Sequence, residues 1–119
     1  MAKAINDDIC IQGSTLVIGV KFKPIDDTYT FTQLLNAGNI TVKYYIINTE
    51  TKYTVSSLYN ILPSDDADYN NMRAFTISNT AALTPGVLMV ECIANIPAHG
   101  NLPARTEISR CSTGIAIIK

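Results

Sequence analysis

One histidine, three cysteines and ten acidic side chains are the residues through which this chain could do acid–base, nucleophilic or metal chemistry. His99 stands in PAHGNLPA, among turn formers. Nucleophilic catalysis needs a base within hydrogen-bond reach of the nucleophile, and no local pattern brings a thiol or hydroxyl to His99. It reads as a loop residue. Zinc takes three or four Cys/His ligands, usually with a closely spaced pair. Cys10, Cys92 and Cys111 lie far apart and form no CxxC. Asp66, Asp68 and Asn70 repeat the first alternate ligands of a calcium loop. However, Asn71 replaces the turn glycine, and Ile77 stands where the closing bidentate glutamate belongs. Glu91 and Glu107 fall on neighbouring predicted strands and could face each other as a glycosidase pair. Arg105 and Arg110 are near enough to claim them as ion pairs instead. No GxGxxG or P-loop is present. The expectation is a protein without catalytic residues, metal or cofactor, and so not an enzyme.

The cysteine count is odd and the spacings are wide, unlike a disulfide framework. The thiols are expected to be reduced and buried as small apolar residues. A Cys92–Cys111 bridge between neighbouring strands is the alternative.

The elements that would position these residues are strands. Period-2 alternation recurs in 8–12, 15–23, 40–47, 52–56, 72–78, 87–97 and 105–111, with IAIIK following a bend at Gly114. Leu16, Ile18, Val20 and Phe22 share one face of the second strand. Leu88, Val90, Cys92, Ala94 and Ile96 share one face of the longest. TQLLN, closed by Gly38, is a possible short helix, and 57–70 reads as a polar loop. About seven strands with turns every ten or so residues predict an all-β fold. The expected form is a single antiparallel β-sandwich over 1–119, immunoglobulin-like or jelly-roll-like in order. The Cys…Trp…Cys signature of antibody domains is absent, since the chain has no tryptophan. A small closed barrel is the competing architecture.

In ITVKYYIINTETKYTVS the alternation of Ile40–Lys43 gives way to Tyr44, Tyr45, Ile46 and Ile47. Tyr44 and Ile46 continue inward, so Tyr45 and Ile47 point outward. Val17 and Met89 also fall opposite their strands' apolar faces. Apolar residues on an outer face form a patch if their strands share a sheet, and such patches mark interaction sites. The candidate interface is therefore Val17, Tyr45, Ile47 and Met89, covered by a partner or by loop 24–38 or 57–70.

Bulk properties narrow the partners. The 119 residues are 47% hydrophobic and 16% charged, with net charge −1, which suits one folded domain. Nine scattered Lys and Arg make no phosphate-tracking stripe, so nucleic acid is not expected. The apolar runs are far short of a ~20-residue membrane span, so neither is a membrane. MAKAINDD carries no apolar signal region, and the expected origin is the cytosol. Asn39-Ile40-Thr41 is a glycosylation sequon, relevant only in a eukaryotic secretory setting.

Ile11, Gly13, Thr15 and Leu16, then Leu83, Gly86 and Leu88, sit in strand-leading patterns of the type I-x-x-G-x-T-L and L-x-x-G-x-L. Ile11 is one residue closer than the first pattern asks. With the hairpin ITVKYYIINTETKYTV and the closing RTEISRCSTGIAI, the chain resembles small β-sandwich modules of tailed-bacteriophage virions. It looks most like those of crAss-like phages of gut Bacteroides. The resemblance implies a non-enzymatic virion component made in bacterial cytoplasm: a capsid auxiliary, decoration or head-fibre protein. Its partners would be the major capsid protein, other virion proteins or further copies of itself. The alternative is a baseplate or tail module binding a receptor or carbohydrate through loop tips 63–71 or 98–103, with Tyr29, Phe31, Tyr59 and Tyr69 as aromatic contacts. Baseplate versions continue into a further segment that this chain lacks, which favours the auxiliary reading.

Overall fold

The structure is a computed structural model and describes residues 9–21, 29–60 and 72–119. Phe22, the loop tip at 63–71 and the calcium-like run at Asp66, Asp68 and Asn70 lie outside the described residues. In chain order the elements are β1 (Ile9–Ile11), β2 (Leu16–Lys21), α1 (Phe31–Asn36), β3 (Ile40–Ile46), β4 (Tyr53–Thr54), β5 (Tyr59–Asn60), β6 (Met72–Ile77), β7 (Gly86–Ile96) and β8 (Arg105–Ile118). A 3-10 turn at Thr80–Ala82 precedes β7.

The fold is all-β and sandwich-like. One sheet has the order β1-β8-β7-β3-β4, the other β2-β6-β5. The last two strands pair beside β3 in the larger sheet, while β2, β5 and β6 form the smaller one. Two expectations need correction. The larger sheet is mixed, because β1 runs parallel to β8. A strand also forms at Tyr59–Asn60, inside the segment read as loop; it pairs with β6, and the Tyr59 hydroxyl meets Thr76 Oγ1 at 2.5 Å.

The core lies between the sheets. Val42, Ile46, Leu88, Val90, Cys92, Ala94 and Ile96 from the larger sheet meet Ile18, Val20, Phe75 and Ile77 from the smaller. Tyr44 points inward and stacks between Tyr53 and Phe75, at centroid distances of 5.3 and 5.7 Å. The faces of β2 and β7 are those alternation predicts. The short helix is real. Thr30 and Gln33 form a reciprocal capping box, with Gln33 N–H donating to Thr30 Oγ1 and Thr30 N–H to Gln33 Oε1. Buried Thr80 locks the turn after β1: its hydroxyl accepts from Gly13 N–H and donates to the Ser14 carbonyl.

Two glycines shape the end of the larger sheet. Between the pairs Met89↔Ser112 and Val87↔Ala116, three residues of β8 oppose one of β7. Gly114, with φ +78°, sits in that excess and takes the bend foreseen there. Two extra residues preserve parity, so both pairs point outward. Gly86 pairs with Ile117 on the inner face, with φ +149°. A Cβ there would lie 2.6 Å from Ile46 Cγ2.

Candidate docking face

The outer face of the five-stranded sheet is built by register. Ile9 is opposite Ala116, and Ala116 is opposite Val87. Ile47 donates its N–H to the Val87 carbonyl. One apolar row thus crosses β1, β8 and β7 and reaches Ile47, the residue that follows β3, and Ile11 with Ile118 forms a second row beside it. Ile9, Ile11, Ile47 and Ile118 are 49%, 52%, 43% and 38% exposed. Each is large and apolar, and each faces outward while its neighbour (Cys10, Ile46 or Ile117) fills the core. Further along, Met89 opposes Tyr45, and Ile93 opposes exposed Ile108.

Of the four interface candidates, Ile47 and Met89 belong to this face. Val17 does not: it is exposed, but on β2 in the other sheet. Tyr45 does point outward, yet it is only 8% exposed. Lys52, from the turn after β3, reaches back with Nζ 5.2 Å from the ring centroid, a cation–π contact. Tyr45 is therefore withdrawn as an available anchor. Ile9, Ile11, Val87, Ala116 and Ile118 enter instead. Their signal in the sequence is the I-C-I alternation of β1, but only the parallel pairing with β8 shows that the cysteine, not the isoleucines, turns inward.

Beside the apolar rows lies a charged cluster. Glu91 is buried, and its Oε2 accepts from Lys52 Nζ at 2.9 Å and Arg110 Nε at 2.6 Å. The hydrogen bond from Lys52 holds its carboxyl below the ordinary value. Burial works against this, and Arg110 adds to the lowering. Lys43 stands directly opposite Glu91 on β3. Among the described residues, this part of the face carries three cations against one carboxylate.

Glu91 and Glu107 cannot act as a facing pair. Glu91 points outward, whereas Glu107 is opposite inward Ala94 and bonds Arg105 at 2.8 Å. Both arginine pairings follow the sequence reading. His99 lies in a turn with reciprocal backbone bonds to Leu102, its ring edge-on to Tyr29 at 6.1 Å. Among the described residues no three His, Cys, Asp or Glu side chains are placed to hold a metal ion, and no helix is long and apolar enough to cross a membrane.

The thiols are free. Cys10 and Cys92 are buried as expected, while Cys111 is exposed. Cys111 is opposite Val90, and Cys92 is opposite Ser109, so the two thiols share a face only diagonally. Diagonal Cα atoms stand about 7–8 Å apart, beyond the usual disulfide span. Burial pushes the Cys92 thiol up to about 11, with a smaller contribution from Cys111.

Comparison with protein families, with curated proteins and with solved structures gave no match.

Proposed function

We propose that this protein is a non-enzymatic structural component of a phage virion. It docks on a neighbouring subunit as a capsid auxiliary, decoration or head-fibre protein. The observation that carries the docking role is the apolar row Ile9–Ala116–Val87–Ile47, which crosses β1, β8 and β7 with exposed isoleucines at both ends. Contiguous apolar area of this kind marks interaction surfaces. The virion setting comes from the resemblance of the chain to phage sandwich modules. The cations beside the row, Lys43, Lys52 and Arg110, outnumber Glu91. Two copies stacked face to face would bring like charges together. The favoured partner is a different subunit whose apolar contact is rimmed by acidic side chains.

The test is co-sedimentation of the purified protein with shells of a crAss-like phage. Wild type is expected to sediment with the shells, less so as salt rises, and Ile47→Asp to stay in the supernatant. Wild type remaining in the supernatant, or Ile47→Asp sedimenting equally, would refute the reading. A stable dimer by light scattering that Ile47→Asp dissociates would replace the foreign partner with a second copy.

A further inference from the structure

On the side where β2 and β8 lie, the two sheets separate around a cleft of about 360 Å³. Ile18, Val20, Val90, Cys92 and Ile115 give it an apolar floor, while Ser109, Cys111 and Thr113 line its rim. Every residue from Val17 to Lys21 contributes to the wall. In a strand, successive side chains point to opposite faces, so a run of consecutive lining residues means that the wall is the strand's edge. That edge has no strand on it among the described residues: β2 pairs with β6 on its other side and ends its sheet. The opposite wall is similar. β8 carries β1 only against Ala116–Ile118, and where Ser109 to Thr113 line the cleft no further strand pairs with it among the described residues. Two open strand edges thus converge on one apolar cleft.

We propose that this cleft accepts an extended segment of a partner polypeptide, added as a strand on the free edge of β2. Alternate small apolar side chains of the segment would lie on Val90, Cys92 and Ile115. An apolar small molecule fits the floor but not the walls. Pressed against a strand edge, it would strip water from backbone N–H and C=O groups and return no hydrogen bond. An extended peptide supplies those bonds. Lys21, at one end of β2, is the one charged side chain that lines the cleft among the described residues. The segment therefore carries an acidic residue at the matching end. This gives exposed Val17 a role distinct from the docking face, because it stands on the wall of the cleft.

Cys111 reports on occupancy, since it is exposed and lines the cleft. The experiment follows the rate at which Cys111 of the full chain reacts with a thiol reagent. The probes are a blocked synthetic peptide of alternating valine and threonine ending in aspartate, the same peptide with N-methylated backbone amides, and dodecanoate. The first peptide is expected to slow labelling about tenfold at saturation, and the other two to leave it unchanged. Lys21→Glu is expected to raise the concentration of aspartate peptide needed for half-protection about tenfold, by exchanging an exposed attraction for a repulsion, and to lower it for a lysine-ended one. Equal protection by the N-methylated peptide or by dodecanoate would make the cleft an apolar-ligand site and overturn the proposal. So would no protection by the first peptide up to about 1 mM, the weak end of specific binding. Cys111 unreactive in the free protein would also overturn it, because the chain itself would then fill the cleft.

Discussion

Replacing Glu91 by glutamine tests whether the docking face is held together by charge. Glutamine keeps the shape and a carbonyl acceptor and removes only the charge. Glu91 is 3% exposed, which alone would place the loss near the ~3–5 kcal/mol of breaking a buried pair. Its partners are wetter: the side chains of Lys52 and Arg110 are 31% and 55% exposed. Exposed pairs contribute at most about 1 kcal/mol. The expected loss at neutral pH therefore lies between, at about 1–2 kcal/mol, or roughly 4–10 °C in Tm for a domain of this size. The pH dependence separates charge from packing. The carboxyl is held below its ordinary 4.5 in the folded protein. A group with a lowered folded pKa stabilises the fold above its unfolded value, and that contribution is lost as pH falls through the folded one. The advantage of wild type over Glu91→Gln should be full at neutral pH and fade below 4.5. Urea unfolding followed by circular dichroism, with reductant present, measures both ends. A gap of equal size at about pH 3 and about pH 7, or one that grows on acidification, would refute the electrostatic reasoning.

Tyr45→Asp and Ile47→Asp are adjacent substitutions with opposite expected costs. The first removes a buried ring from beneath Lys52 and should lose about 2–4 kcal/mol in urea unfolding, whereas the second changes an exposed side chain and should stay within about 0.5 kcal/mol. Gly86→Ala should cost about 2–4 kcal/mol, since it combines a positive φ with a Cβ 2.6 Å from Ile46 Cγ2. An Ile46→Ala background should remove the clash but not the backbone strain, so the same substitution costs less there. In thiol titration of the native protein Cys111 should react first. Cys92 should lag well above neutral pH because its thiol is pushed up to about 11, and a non-reducing digest should contain no Cys92–Cys111 linked peptide.

Most of the framework was legible because alternation carries it. Val42, Ile46 and alternate residues from Leu88 to Ile96 fill the core as their periodicity demands. The outward direction of Tyr45 was legible too, but its burial was not. A cation–π cover from Lys52 depends on how a turn folds back, and Asn48, at φ +65° in that turn, carries no strong marker of the path. The parallel β1–β8 pair was hidden because it joins the two ends of the described chain with no local turn to announce it. That pairing decides the site, since it turns Cys10 inward and Ile9 and Ile11 to solvent. Val17 was misplaced for a related reason: alternation assigns a face within a strand but not the sheet to which the strand belongs. The helix had a readable start in Thr30-x-x-Gln33, a capping-box spacing that the apolar periodicity alone does not use.

The unequal widths of the two sheets connect the cleft with the docking face. Strands stand about 4.8 Å apart, so five span roughly 19 Å between outer axes and three roughly 10 Å. Among the described residues, the three strands of the smaller sheet do not span the inner face of the larger one. The first part of β8 lies at the overhang, and its inward positions there are Glu107, Ser109 and Cys111 rather than branched aliphatics. The chain thus places polar or small residues where an inner face meets water. The last part of β8 does the reverse: Ile117 fills the core, yet Ala116, Ile118 and the adjoining Ile9 and Ile11 are apolar on the outside as well. Strands apolar on both faces belong to sheets covered on both sides. Along a single strand the chain is thus polar at the rim of the proposed peptide cleft, which is hydrated when empty, and apolar on the outer face proposed for docking.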